Sequence, residues 1–295
     1  MIKELQTNHL DPTVYADGVH GFMDYFRLHP KNPQLHFLEE ILEHFAKIPY
    51  ENISKIMKLN QAWDSHNKLR LPEEVIESHV SFKLGGTCFS LTFFLQCILT
   101  LHGFTCYPVM ADMRAGRNFH CCLIVMLDSL KYLVDPGYLL TRPMAINPQK
   151  PRLFRSEFTG VELRYDTQSE KYDLFTFTKN EIKWRYRFQD RCVAPEEFLQ
   201  HWLASFQWNS MHGICLTKVM DGGLIYIHKN FMRETTFAGK RNYHIKKNYH
   251  ATINDIFGIE KEIIEQAEVA LEENLEMERG LGLWVPKNKI GITKN

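Results

Sequence analysis

Residues able to carry out acyl transfer occur in order along the chain, beginning with Cys88. It follows Gly85-Gly86-Thr87 and starts a stretch whose apolar residues repeat at helical spacing, so its thiol is expected at a helix N-terminus. The helix dipole and the unbonded N–H groups at such a position favour the thiolate. Backbone amides around Gly86 and Thr87 could also stabilise an oxyanion. The motif alone is weak, because a buried cysteine is more often structural.

His120 and Asp135 make a catalytic role for this cysteine more specific. His120 opens a predicted strand over residues 120–127, and the chain returns through a turn at Asp128-Ser129 to Asp135. In that hairpin Asp135 is expected opposite Cys122 and diagonal to His120. A carboxylate there can hold one imidazole nitrogen while the other nitrogen faces a thiol. The sequence therefore predicts a Cys-His-Asp triad.

The elements that must position this triad belong to an α+β protein with helices first, antiparallel strands next and a mixed C-terminal part. Leu38, Ile41, Leu42 and Phe45 mark one buried helix face, and further helices are predicted from Pro72 and from Cys88 to Gly103. Strands are predicted over residues 105–113, 120–127, 131–134, 162–165, 172–177 and 182–188. A helix over residues 195–206, a hairpin at Asp221-Gly222-Gly223 and an acidic helix over residues 254–275 follow.

Composition restricts the class of protein. The chain has 295 residues, 44% hydrophobic and 24% charged, which suits a folded protein of two or three lobes. Its net charge is 0, so no overall field would attract nucleic acid or an anionic membrane. The polar start after Met1, the lack of a long apolar run and seven cysteines without a CxxC pair favour the cytoplasm. The oligomeric state stays open.

A metal site is not expected around the cysteines and histidines in the middle of the chain. His120, Cys121 and Cys122 are adjacent, but neighbouring strand residues point to opposite faces and cannot easily reach one ion. The chain also lacks the ligand spacing of a zinc site. We therefore predict no metal, and Cys121 and Cys122 are interpreted as small buried residues.

Taken together, these motifs resemble the arylamine N-acetyltransferase family. That family carries an Arg-Gly-Gly-x-Cys-Phe helix start, a histidine opening an apolar strand, and a Val-Asp-x-Gly-Phe/Tyr segment. The corresponding segments here are Leu84-Gly85-Gly86-Thr87-Cys88-Phe89, His120 and Val134-Asp135-Pro136-Gly137-Tyr138. Ile48-Pro49-Tyr50-Glu51-Asn52 is similar to the family's Ile-Pro-Phe-Glu-Asn, and the likeness extends from about Tyr25 to Phe231.

The resemblance implies a three-part fold with a cysteine-protease-like core. Residues 1–103 would form a helical bundle with the nucleophile, residues 104–205 a β-barrel-like part with the histidine and aspartate, and residues 206–295 an α/β lid with a C-terminal helix. It also implies acetyl-CoA as co-substrate and a ping-pong transfer through a Cys88 thioester to an arylamine, hydrazine or N-hydroxyarylamine. His120 would activate the thiol and Asp135 would orient it. Substrate or cofactor would contact Gly86, Thr87, Phe89, Gly137 and Tyr138.

Three departures from the family pattern keep other functions open. Leu84 replaces the arginine before the glycines, so Glu51 would lose its ion-pair partner. Ser90-Leu91-Thr92 replaces Glu-x-Asn, and Leu139 replaces a second glycine and would crowd the acyl pocket. The alternatives are a diverged amide synthase, a thiol hydrolase or transglutaminase-like enzyme using another acyl donor, or an inactive binding protein.

Overall fold

The first part of the chain is helical because its apolar residues recur every three or four positions. The computed structural model describes residues 10–61, 66–155 and 158–286. Its helices in this part are α1 Ala16–Phe26, α2 Leu35–Phe45, α3 Ile53–Gln61, α4 Pro72–Phe82 and α5 Cys88–Leu101. Helix α5 is apolar on all sides and lies in the largest core, where Phe89, Phe93 and Phe94 are buried. The helix that carries Cys88 is therefore the central helix of this part.

An antiparallel sheet of eight strands forms the middle of the chain. Its strands are β2 Thr105–Met113, β3 Gly116–Leu127, β4 Leu130–Val134, β5 Met144–Ala145, β6 Arg152–Arg155, β7 Gly160–Asp166, β8 Lys171–Thr178 and β9 Glu181–Phe188. The strand order is β5-β4-β3-β2-β9-β8-β7-β6. Pairing of β2 with β9, as in Ala111 with Phe188, joins the two halves of the sheet around a common core. The β2–β9 pairing brings β9 close to the β3–β4 hairpin.

A smaller sheet of five strands connects the C-terminal part to the helical part. Its members are β1 Tyr50–Glu51, β10 Cys215–Met220, β11 Gly223–His228, β12 Phe231–Thr236 and β13 Gly239–His244, and the remaining helices are α6 Pro195–Ala204, α7 Tyr249–Phe257 and α8 Lys261–Gly280. Strand β1 pairs with β10, and Ile53 and Ile56 of α3 pack into the core formed with α7 and α8. The segment from Tyr50 to Ile56 is thereby joined both to the smaller sheet and to the C-terminal helices.

The predicted α+β class, with a helical N-terminal part and a barrel-like sheet, is confirmed. Two element predictions were wrong. Strand β3 begins at Gly116, so His120 lies inside the strand, because the ladder with β2 continues past it to the Met113–Gly116 pair. The single helix predicted over residues 254–275 is broken by Gly258, whose φ of 74° ends α7.

The helix predicted over residues 195–206 is α-helical only to Ala204, and a short 3-10 turn follows over Ser205–Gln207. In the described residues, no helix reaches the length and apolar character required to cross a bilayer. The boundaries at residues 103 and 205 remain predictions.

Candidate active site

Cys88 is the first residue of α5 and only 6% of its surface is exposed. The two glycines before it pass very close to other groups. A Cβ on Gly85 would lie 1.9 Å from the carbonyl oxygen of Pro49, and one on Gly86 would lie 2.3 Å from Ser90 Oγ. Glycine at both positions therefore lets the chain lie against β1, where the Glu51 N–H donates to the Gly86 carbonyl at 3.0 Å.

The β3–β4 hairpin brings the histidine and the aspartate together. Asp128 and Ser129 have φ values of 49° and 63°, as a two-residue turn of the type I′ class requires. The register pairs Leu123 with Val134, which is the predicted register, and Asp135 follows directly after the ladder. His120 Nε2 lies 2.8 Å from Asp135 Oδ2. The other ring nitrogen, Nδ1, is therefore the one left for the thiol.

Both oxygens of the Asp135 carboxylate have further partners, and the side chain is completely buried. The Tyr186 hydroxyl donates to Oδ2 at 2.6 Å, and the Tyr138 N–H donates to Oδ1 at 3.0 Å. These bonds fix the carboxylate in the plane where it meets His120. Sequence reasoning missed Tyr186, because the aromatic alternation of β9 marks a buried face but does not say which residue it meets.

Electrostatic interactions favour an ion pair between thiol and imidazole. Burial alone would lower the pKa of His120, but the charge and hydrogen bond of Asp135 and the contact with Cys88 raise it to about 10. A hydrogen bond from Cys121 holds the pKa of Cys88 well below its usual range; burial opposes this, and His120 and Lys55 lower the pKa further. Both shifts favour a thiolate and imidazolium pair at neutral pH, which is the reactive state of a nucleophilic cysteine.

Cys88 and His120 open into a cavity of about 530 Å³ between the two sheets. Its aromatic lining residues are Tyr50, Phe119, Tyr138, Phe158, Phe177 and Tyr226. Its charged lining residues are Arg185, Arg233, Lys240 and Glu181. Lys240 pairs with Glu181, whereas Arg185 and Arg233 have no carboxylate within ion-pair distance among the described residues. The cavity is thus largely apolar with an excess of positive charge.

The five predicted binding residues fall into two groups. Gly137 and Tyr138 line the cavity, whereas Gly86, Thr87 and Phe89 do not. The Phe89 ring is fully buried against Phe198, Trp202 and Trp208, because one helix position turns a side chain by about 100° away from its neighbour. The Thr87 side chain makes no capping hydrogen bond. Its hydroxyl therefore does not bond to any of the first backbone N–H groups of α5.

Two departures from the family pattern have consequences that differ from each other. Glu51 has no ion-pair partner among the described residues, as expected, but its carboxylate accepts bonds from the Gly85 N–H at 3.1 Å, the Ser54 N–H at 2.9 Å and Ser54 Oγ at 2.5 Å. Leu84 is instead buried in the core around α8. Leu139 is buried and is not among the cavity-lining residues, because its φ of 53° turns the chain so that Leu140 lines the cavity instead.

The cysteines and histidines near the site have partners other than a metal ion. Within residues 10–61, 66–155 and 158–286 the structure contains no group of three or more His, Cys, Asp or Glu side chains able to hold an ion. Cys121 instead contacts Thr92 Oγ1 at 3.5 Å, and burial raises its pKa well above the usual range. It therefore stays a protonated thiol beside Cys88.

A Gly137→Ala substitution is expected to separate Cys88 from His120. The added Cβ would lie 2.8 Å from His120 Cε1 and 2.9 Å from Cys88 Cβ, so one of these groups must move. A displacement of this size costs about 10²-fold in rate, which alkylation of Cys88 at neutral pH would measure. Gly239→Ala is the matched control, since its Cβ meets nothing within 4 Å. Equal alkylation rates in the two variants would contradict the assigned geometry.

A family profile and several solved structures are similar to this chain. A family profile described as N-acetyltransferase matches residues 34–266. The structure is similar to the arylamine N-acetyltransferase from Mycobacterium abscessus, with a TM-score of 0.73 and 15% identity over 86% of this chain and 93% of that one. It is also similar to the Mycobacterium marinum arylamine N-acetyltransferase solved in complex with CoA, with a TM-score of 0.71 and 17% identity over 86% and 98%. No curated protein sequence gave a match.

A third related structure varies the acid of the triad. It is the arylamine N-acetyltransferase from Bacillus cereus described as having a Cys-His-Glu catalytic triad, with a TM-score of 0.64 and 18% identity over 83% of this chain and 99% of that one. At these identities the structural likenesses establish the fold alone.

Proposed function

Because the chain belongs to the N-acetyltransferase family, we propose that it transfers an acetyl group from acetyl-CoA to a small amine through a thioester on Cys88. The observation that carries this proposal is the 2.8 Å hydrogen bond from His120 to the buried Asp135, where His120 and Cys88 line the same cavity. In this proposal Cys88 is the nucleophile, His120 the general acid and base, and Asp135 the group that orients His120.

In the first half of the reaction, the Cys88 thiolate attacks the acetyl carbonyl carbon. The negative charge on the carbonyl oxygen is stabilised by backbone N–H groups at the start of α5, which the Thr87 side chain does not cap. The bond from carbon to the CoA sulfur then breaks. The imidazolium of His120 gives its Nδ1 proton to the leaving CoA thiolate, and acetyl-Cys88 remains.

In the second half, the amine nitrogen attacks the thioester carbonyl and the bond to Cys88 breaks. Neutral His120 takes a proton from the amine nitrogen, which restores the thiolate–imidazolium pair and releases the amide. The Asp135 carboxylate stays ionised and holds the ring so that Nδ1 faces the reacting atoms. The ring of Tyr138, 5.1 Å from that of His120, closes one side of the reaction space.

The cavity suits both proposed substrates. Arg185, Arg233 and Lys240 provide positive charge for the phosphate groups of an acyl-CoA donor. The aromatic side chains of Phe119, Phe158 and Phe177 provide apolar walls for an aromatic acceptor. Arylamines, hydrazines and N-hydroxyarylamines are the acceptor classes we propose.

The experiment that tests the proposal separates the two halves of the cycle. The protein is incubated with acetyl-CoA without acceptor, and intact mass with peptide mapping is expected to show one acetyl group on Cys88 and one CoA released per protein. Adding an arylamine is then expected to remove the acetyl group and form the amide.

Each other outcome identifies an alternative. An adduct that is lost to water equally fast with and without amine would indicate a hydrolase. A Cys88 that is alkylated readily but takes no acetyl group would contradict acetyl-CoA as donor. A Cys88 that reacts with neither reagent would contradict an enzymatic role.

A further inference from the structure

Lys55 is a buried lysine without an acidic partner among the described residues. It lies in α3, is 5% exposed, and its ammonium donates to the Ser205 carbonyl oxygen at 3.0 Å and to Ser205 Oγ at 2.5 Å. Glu51 lies one turn earlier, but its carboxylate is directed to the Gly85 N–H and to Ser54. Lysine is rarely buried in this way, because removing its charge from water is costly. A role that needs the charge is therefore expected.

The surroundings of the ammonium lead directly to the candidate active site. Its Nζ lies 4.5 Å from the centre of the Phe206 ring and 5.8 Å from that of Trp208. The Trp208 ring stacks on Phe119 at 4.1 Å with an angle of 8°, and its centre is 5.9 Å from Phe89. These two phenylalanines directly precede His120 and directly follow Cys88. The lysine and its aromatic neighbours therefore support the backbone on both sides of the catalytic pair.

Cysteine thiols are the titratable groups that act on this lysine. Burial lowers the pKa of Lys55 to about 7, and Cys88 on α5 and Cys121 on β3 act in the opposite direction. Its other neighbours, Ser205, Phe206 and Trp208, carry no charge. Three groups, Cys121, His120 and Lys55, lower the pKa of Cys88. The titratable side chains of Tyr50, Tyr138 and Cys122 also interact with the thiol, but they are neutral at neutral pH.

We propose that Lys55 is a positioning residue whose buried ammonium, packed against the rings of Phe206 and Trp208, stabilises the Cys88 thiolate. This inference rests on the proposed role of Cys88 as nucleophile. Leu84, the residue before the two glycines, carries no charge, so Lys55 is the cation that acts on the thiol from the helical part of the chain. When the thiolate forms, the attraction between the two charges offsets part of the cost of burying the ammonium.

The test measures the thiol itself and needs no acetyl-CoA. Alkylation of Cys88 by iodoacetamide is followed by peptide mapping from acidic to alkaline pH in wild type, Lys55→Met, Lys55→Arg and Lys58→Met. The Met substitution keeps most of the length of the side chain and removes its charge. We expect the apparent pKa of Cys88 to rise by about 1 unit in Lys55→Met, so that alkylation below that pKa slows about tenfold. Lys55→Arg is expected to restore the wild-type profile.

The other variants separate the electrostatic role from a structural one. Lys58 lies on the same helix and pairs with Glu74 at the surface, so Lys58→Met is expected to leave the profile unchanged. Lys55→Met is expected to melt at a higher temperature than wild type at neutral pH, because an apolar side chain replaces a buried charge. An unchanged thiol pKa in Lys55→Met, or a shifted one in Lys55→Arg, would overturn the proposal. Either result would leave acetyl transfer through Cys88 intact.

Discussion

Cys88→Ala is expected to take no acetyl group from acetyl-CoA and to lose acyl transfer by a factor on the order of 10⁴ or more. The reason is that no second thiol in the cavity is in the same chemical state. Cys215 also lines the cavity, but burial raises its pKa to about 12, so it stays protonated and unreactive at neutral pH. Intact mass after incubation with acetyl-CoA, and the rate of amide formation with an arylamine, measure the two effects.

Cys215→Ala is the matched control for this prediction. It removes a thiol from the same cavity but leaves the pair of Cys88 and His120 in place. It is expected to be acetylated once, on Cys88, at a rate close to that of wild type. Continued acetylation of the protein in Cys88→Ala would place the nucleophile elsewhere and contradict the proposed mechanism.

Asp135→Asn is expected to lower the rate of acyl transfer by about 10²–10⁴-fold while the protein stays folded. The amide keeps the shape of the side chain but removes the negative charge that meets His120 Nε2. In the wild type, Asp135 outweighs the effect of burial on His120 and raises its pKa to about 10. Without the negative charge, burial dominates and the pKa of His120 falls.

The pH dependence follows from the sign of that shift. The thiolate–imidazolium pair exists above the pKa of Cys88 and below that of His120. Because the imidazolium gives its proton to the leaving CoA thiolate, the alkaline limb of the rate of Cys88 acetylation reports the histidine. In wild type this limb is expected near pH 10, and in Asp135→Asn it moves to lower pH. Rate constants for Cys88 acetylation by acetyl-CoA across the pH range measure this directly.

Asp173→Asn is a suitable control for the aspartate. Asp173 is also a buried carboxylate, but it bonds to Arg187 and to the Trp184 indole on the neighbouring strand, away from the cavity. Its substitution is expected to affect stability and leave the alkaline limb in place. If Asp135→Asn kept both the wild-type rate of acyl transfer and the wild-type alkaline limb of the pH profile, the proposal that Asp135 orients His120 would be contradicted.

The core of the site was predictable because its determinants are close together in the chain. The Asp128-Ser129 turn fixes the register of one hairpin, and the register alone places Asp135 beside His120. The two glycines before Cys88 mark a close approach of the backbone that any other side chain would obstruct. The helix start and the hairpin could therefore be identified from local pattern.

The residues that modulate the triad depend on contacts between distant parts of the chain. Tyr186 meets Asp135 from 51 residues away, because β2 pairs with β9 and brings that strand close to the β3–β4 hairpin. Lys55 meets Ser205 across 150 residues. No local propensity encodes such contacts, since they form only when separate elements pack on a common core.

The sequence by itself determined the three groups that carry the proposed chemistry, the order of the elements and the α+β class. The tertiary structure decided the environment of those groups. It gave Glu51 its partners from Ser54 and Gly85, directed Leu139 away from the cavity, and placed the cations Arg185 and Arg233 on facing sheets. The physical reason is that residue type and local spacing set the backbone conformation and the available chemistry, whereas pKa values and cavity lining depend on which distant side chains are buried together.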